Sequence, residues 1–99
     1  MMEYFYYMAY ETEMLNGEIM RAHHFLEKLA TGKGFYSEVA KMLLYGLDNK
    51  VEPEELEGKI MSIQGDEAEK RAIYLKFLYS YNRYDVNYPY YDSKRCNDA

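Results

Sequence analysis

Residues 1–32, MMEYFYYMAYETEMLNGEIMRAHHFLEKLATG, admit two folds. Phe5, Met8, Thr12, Leu15, Ile19, Ala22, Leu26 and Leu29 step by three and four without a break, the spacing that lines up one stripe of a helix. This reading predicts a single helix from about Glu3 to Ala30, closed by Thr31 and Gly32, because glycine accepts the left-handed conformation that ends helices. The rival starts from YFYYMAY, whose rings favour strands. Tyr10, Thr12 and Met14 alternate with Glu11 and Glu13 before Asn16-Gly17, a hairpin or breaker signal. It predicts a strand over residues 4–14 and a helix beginning near Asn16. The long helix is preferred, since one stripe accounts for all eight positions and the stretch after Gly17 pairs poorly as a second strand.

Further along, Tyr36, Val39, Ala40, Leu43, Leu44 and Leu47 repeat at helical spacing between Gly34 and Gly46. In VEPEELEGKI, Pro53 suits a first helical turn, Val51 and Leu56 are spaced as a hydrophobic staple, and Glu54, Glu55 and Glu57 favour the positive end of the helix. That third helix should run to about Ile63. After Gln64-Gly65, Asp66 and Glu69 form a capping pattern for a fourth. Its apolar face reads as Ala68, Ala72, Leu75 and Tyr79, flanked by Leu78, Ile73 and Phe77, and it should end between Tyr81 and Tyr84. Pro89 and DSKRCNDA then predict an extended tail, frayed over 92–99. The expectation is a mainly α, single-domain bundle (1–99) of about four helices with a tyrosine-rich C-terminal tail. The alternative is an α+β domain with an N-terminal strand over 4–14.

The chain has 99 residues, enough for one core but not two, and its 48% hydrophobic and 29% charged content places it with globular proteins. Its formal charge is -5 and unevenly distributed: residues 1–69 hold fourteen acids and six bases, residues 70–99 six bases and three acids. Such asymmetry favours a basic partner or a second copy, and it disfavours nucleic acid, which is held by neutralising phosphates. The single cysteine, Cys96, can form no internal disulfide, which favours a reducing setting and hence the cytoplasm. No apolar run approaches the roughly 20 residues that span a bilayer, so no membrane insertion is expected.

Motifs for chemistry are missing. His23 and His24 diverge by about 100° on a helix and cannot grip one ion together, and no H-E-x-x-H or E-x-x-H precedes either. TGKGFYS lacks the longer glycine loop and the Lys-Ser/Thr of a phosphate loop, and reads as a connector. Cys96 lies where nothing would lower its pKa, and no serine stands in a nucleophile elbow. No catalytic residue, metal or cofactor is assigned, and the protein is read as not an enzyme. A small hydrolase or nuclease using Glu or His remains a minor alternative.

Residues 79–91, YSYNRYDVNYPYY, hold six of the thirteen tyrosines. Such rings beside Arg83, Lys94 and Arg95 could stack single-stranded bases, but Asp85 and Asp92 interrupt the basic groove this needs. Tyrosine also seals the rim of a core while keeping its hydroxyl at the edge. The expectation is therefore a clamp, in which Tyr4, Tyr6, Tyr7 and Tyr10 pack against the C-terminal rings. Surplus rings remain for a partner, and Tyr81, Arg83, Tyr84, Tyr88, Tyr90 and Tyr91 are the candidate partner-binding residues. The function expected is a non-catalytic acidic interaction protein binding another protein or itself as a homodimer, with single-stranded nucleic-acid binding as the alternative.

In general character, MMEYFYYMAY and the acidic, tyrosine- and methionine-rich composition with little Ser, Thr or Gln resemble small proteins encoded by bacteriophages or by viruses of hot-spring archaea. The resemblance covers composition and length, so it carries over no residue. It implies a role in binding and blocking a host protein, in the host cytoplasm. Asn16-Gly17, a deamidation-prone pair, departs from a heat-adapted pattern unless locked in a helix.

Overall fold

The computed structural model describes residues 2–83, which form five α-helices: α1 (Met2–Leu15), α2 (Ile19–Ala30), α3 (Phe35–Asn49), α4 (Pro53–Met61) and α5 (Glu67–Arg83). The mainly helical reading holds. No strand occurs among the described residues, and positions 4–14, the alternative strand, lie in α1. The expected tail, with Tyr84, Tyr88, Tyr90, Tyr91, Cys96 and the segment 92–99, lies outside them.

Five helices replace four because the expected long helix breaks at Asn16-Gly17. Gly17 has φ of 78°, the left-handed region where a side chain would be strained. Its N–H donates to Met14 O at 3.1 Å and the Glu18 N–H to Glu13 O at 2.9 Å, the paired bonds of a Schellman C-cap. The apolar contact that commonly accompanies this cap is replaced by charge. Arg21 lies 3.8 Å from Glu13 and 3.9 Å from Glu18, bridging the two sides of the turn. A continuous apolar spacing thus runs across a real break.

The middle of the chain is phased as its spacing predicts. Ile19, Ala22, Leu26 and Leu29 of α2 and Val39, Ala40, Leu43 and Leu47 of α3 are buried in one cluster. The outer helices are phased the other way. In α1 the buried residues are Tyr7, Tyr10 and Met14, whereas Phe5, Met8, Thr12 and Leu15 face solvent. In α5 the buried residues are Lys70, Ile73, Tyr74, Phe77 and Ser80, whereas Ala68, Ala72, Leu75 and Tyr79 are exposed. Both stripes read as core are outward-facing.

Each helix packs on the next in the sequence, and α5 returns against α1. Specific polar contacts set the ends. Glu3 accepts from the Gly34 N–H at 3.2 Å, placing an acid at the positive end of α3 and tying the start of α1 to it. The Asp66 carboxylate accepts from the Glu69 N–H at 2.8 Å, so half of the expected capping box forms. Lys70, 2% exposed, donates to the carbonyls of Met61 at 2.9 Å and Ile63 at 2.6 Å and to Glu67 at 3.0 Å. A lysine buried in this way caps the end of α4 and has all three protons placed.

Candidate functional site

Where α5 meets α1 the two helices leave a cleft of about 150 Å³, whose walls include Tyr4, Met8 and Glu11 of α1 and Glu69, Ala72 and Lys76 of α5. Tyr7 and Tyr36 also line it, with Tyr36 contributed by α3. The rings form one aromatic group: Tyr7 stacks on Tyr36 with centroids 4.9 Å apart, and Tyr4 lies tilted at 5.7 Å from the same ring. Offset and tilted pairs at these distances are the favoured arrangements of aromatic rings.

Phenols and carboxylates alternate around the cleft. Tyr7 Oη donates to Glu11 Oε2 at 2.9 Å, and Tyr36 Oη donates to Glu69 Oε2 at 2.6 Å. Lys76 Nζ lies 3.2 Å from the same Glu11 oxygen. Burial pushes the Tyr36 phenol up to about 12, helped by its bond to Glu69. Burial raises Tyr7 further, reinforced by Tyr10 and Glu11. Both phenols therefore remain hydrogen-bond donors to these carboxylates. Among the described residues, Oε1 of Glu11 and of Glu69 accept no hydrogen bond. Two acids and one base at the cleft leave it with a net charge of -1.

The outward stripes flank this cleft, since Met8 and Ala72, one from each stripe, line it. Phe5 is 62% exposed and Leu75 53%, high values for large apolar side chains. Charge divides across the pair. α1 carries three acids and no base, and α5 four bases and two acids.

Of the candidate residues read from the sequence, Tyr81 and Arg83 are described, and neither lines this cleft. Tyr81 is half-buried against the core, with its ring 5.3 Å from that of Phe77. Arg83 is exposed at the end of α5, where it donates to Tyr79 Oη at 3.2 Å. Tyr84, Tyr88, Tyr90 and Tyr91 lie outside the described residues. Among the described residues, Tyr4 and Tyr7 meet Tyr36 of α3, and Tyr6 meets Phe25 of α2 at 6.3 Å, while four of the C-terminal rings of the expected clamp lie outside them. Sequence reading missed Tyr36, Glu69 and Lys76. The sequence assigns Glu69 to the cap, whereas its carboxylate accepts from the Tyr36 hydroxyl.

His24 is exposed and His23 buried, with His23 Nε2 2.9 Å from Asp48 Oδ1 and Nδ1 3.6 Å from Glu27 Oε1. This contact ties α2 to α3. Among the described residues no group of three His, Cys, Asp or Glu could hold a metal ion. A second, apolar pocket beside Leu56, Tyr74 and Tyr81 has a volume of about 10 Å³, space for at most about one water molecule. No described helix is long and apolar enough to cross a membrane.

No protein-family model matches the sequence, and neither a curated protein nor a solved structure is significantly similar to it.

Proposed function

We propose that this is a non-catalytic interaction protein whose outward α1–α5 face binds another protein, a second copy of the chain included. The observation that carries the reading is the pair of apolar stripes, Phe5, Met8 and Leu15 on α1 and Leu75 and Tyr79 on α5, exposed on adjoining helices. Scattered apolar residues on a surface need no explanation, but rows of them on neighbouring helices mark surfaces that are covered in use. An amphipathic partner laid across such a pair would bury apolar area at about 25 cal/mol per Å². Arg83, beside Tyr79, extends the face toward the C-terminus, and Tyr84, Tyr88, Tyr90 and Tyr91 follow it in sequence. The acidic composition and the resemblance to small virus-encoded proteins agree with a role in engaging a host protein, which on the same grounds takes place in the cytoplasm.

The test is positional. A photo-crosslinking residue placed at Met8 or at Leu75 should give one discrete adduct in cells, either the dimer of the chain or a single heterologous protein, while the same probe at Glu54 on α4 should give none. Sedimentation equilibrium then assigns the adduct, because a homodimer disperses on Leu75→Glu substitution. Equal labelling from Glu54, or no adduct from either face position, would sink the proposal.

A further inference from the structure

The cleft shares Met8 and Ala72 with the apolar stripes that flank it, but its polar groups make its chemistry narrower than theirs. Its lining includes the Tyr4, Tyr7 and Tyr36 rings and the carboxylates of Glu11 and Glu69, and each carboxylate keeps one oxygen without a hydrogen bond among the described residues. Resting on the reading of the α1–α5 face as an interface, we infer that the cleft receives an arginine side chain of the bound protein. Its guanidinium would lie against the Tyr4 and Tyr36 rings and donate to Oε1 of Glu11 and of Glu69.

Three features select this ligand class. An anion is excluded by the net charge of -1, which a single guanidinium neutralises. A neutral apolar group would leave both carboxylate oxygens without donors, a cost that grows as the interface expels water. Between the two cationic side chains, the planar guanidinium both stacks on rings and forks its N–H groups toward separate acceptors, whereas an ammonium is a compact point charge. The tyrosine hydroxyls do not compete for this role. Each already donates to the opposite oxygen of a carboxylate, and burial holds both phenols protonated.

Lys76 makes the inference sharp. It is exposed, it pairs with Glu11 at 3.2 Å, and it is the cation already resident at the site. An incoming guanidinium competes with it, so removing the lysine charge should tighten binding although a polar contact is lost. A surface that merely accepted apolar groups would show no such inversion.

The experiment uses the full chain, ¹⁵N-labelled, titrated with Nα-acetyl-arginine methylamide. The neutral isostere Nα-acetyl-citrulline methylamide and Nα-acetyl-lysine methylamide serve as comparisons. The arginine probe should shift the amides of Tyr4, Tyr36, Glu69 and Lys76, and the citrulline probe should leave them in place. Glu69→Gln should weaken the arginine probe by about fivefold, and Lys76→Met should tighten it by a similar factor, the scale of one exposed cation–π or ion-pair contact. Circular dichroism on both variants verifies the fold, and since the two effects have opposite signs, general destabilisation cannot produce them. The inference is overturned by equal shifts from citrulline, by lysine binding as tightly as arginine, by weaker binding in Lys76→Met, or by no shift at the probe's solubility limit. A crosslinked adduct from Leu75 together with a silent titration removes the arginine and keeps the interface. A responsive titration without an adduct does the reverse.

Discussion

The central pair of helices and the outer pair use their apolar residues in opposite ways. In α2 and α3 the inward positions are mostly aliphatic, with Leu26, Leu29, Val39, Leu43 and Leu47 all buried. Such side chains have no polar atom to satisfy, so hydropathy dominates the orientation of these helices. In α1 and α5 the inward positions include Tyr7, Tyr10, Tyr74, Lys70 and Ser80, and more hydrophobic residues are left outside. What fixes that choice is ring area together with specific acceptors. Tyr7 donates to Glu11 at 2.9 Å and Tyr74 to the Pro53 carbonyl at 3.2 Å, so each ring is buried while its hydroxyl is served. Hydrophobic strength is thus a poor guide to the inward face of a helix with rings on both sides.

The largest effect that would test this contrast is alkaline unfolding. Tyr7 and Tyr10 are both raised above their ordinary value of 10.0, chiefly by burial. A phenol raised in the folded state contributes stability that is fully present below the unfolded value and lost as the pH rises through the folded one. Stability should therefore be insensitive to these groups near neutrality and fall steeply above pH 10.0. Tyrosinate absorbance and helical circular dichroism, followed together, should show a wave of ionisation that coincides with loss of helix. Complete tyrosine ionisation with the helix intact would mean that the inward face of α1 is open to water.

A smaller effect separates the two regions directly. Leu26→Ala, at a fully buried position in α2, should cost about 3 kcal/mol by lost transfer energy and the cavity left behind. Leu75→Ala, the same substitution at a half-exposed position in α5, should stay within about 0.5 kcal/mol. Urea denaturation of the isolated protein measures both. Similar costs at the two positions would show that Leu75 is covered in the free chain, and the proposed interface would lose its outward stripe.

What was legible in the sequence follows the same division. The helices from Tyr36 onward were readable because apolar periodicity, Pro53 at a first turn and Asp66 as a cap are local signals. The break at Gly17 is outweighed by eight positions in register, seven of them apolar, although Asn16-Gly17 is visible as a breaker. Its Schellman bonds depend on φ of 78° at a single residue, which periodicity cannot register. The cleft was not legible at all. Tyr36 and Glu69 are 33 positions apart and meet through one hydrogen bond, and no spacing rule joins them.

The smallest expected effect lies in two buried hydroxyls, one in each region. Ser37 Oγ of α3 and Ser80 Oγ of α5 are enclosed and accept or donate no hydrogen bond among the described residues. Burying a hydroxyl without a partner forfeits its bonds to water and gains nothing in return, so deleting it and leaving the smaller alanine methyl should be nearly neutral or favourable. Ser37→Ala and Ser80→Ala should each change stability by less than about 1 kcal/mol, with the sign toward stabilisation. Thermal melts of both variants make the comparison. Stabilisation at both positions would mean that the two regions share this defect, and that the tyrosine face of α5 is distinguished only by its rings. Destabilisation by Ser80→Ala alone would mean that this hydroxyl holds a bond the described residues do not supply. The inward polar groups of α5 would then be satisfied more completely than those of α3, and the rule that buried rings and hydroxyls orient the outer helices through specific acceptors would extend to Ser80 as well.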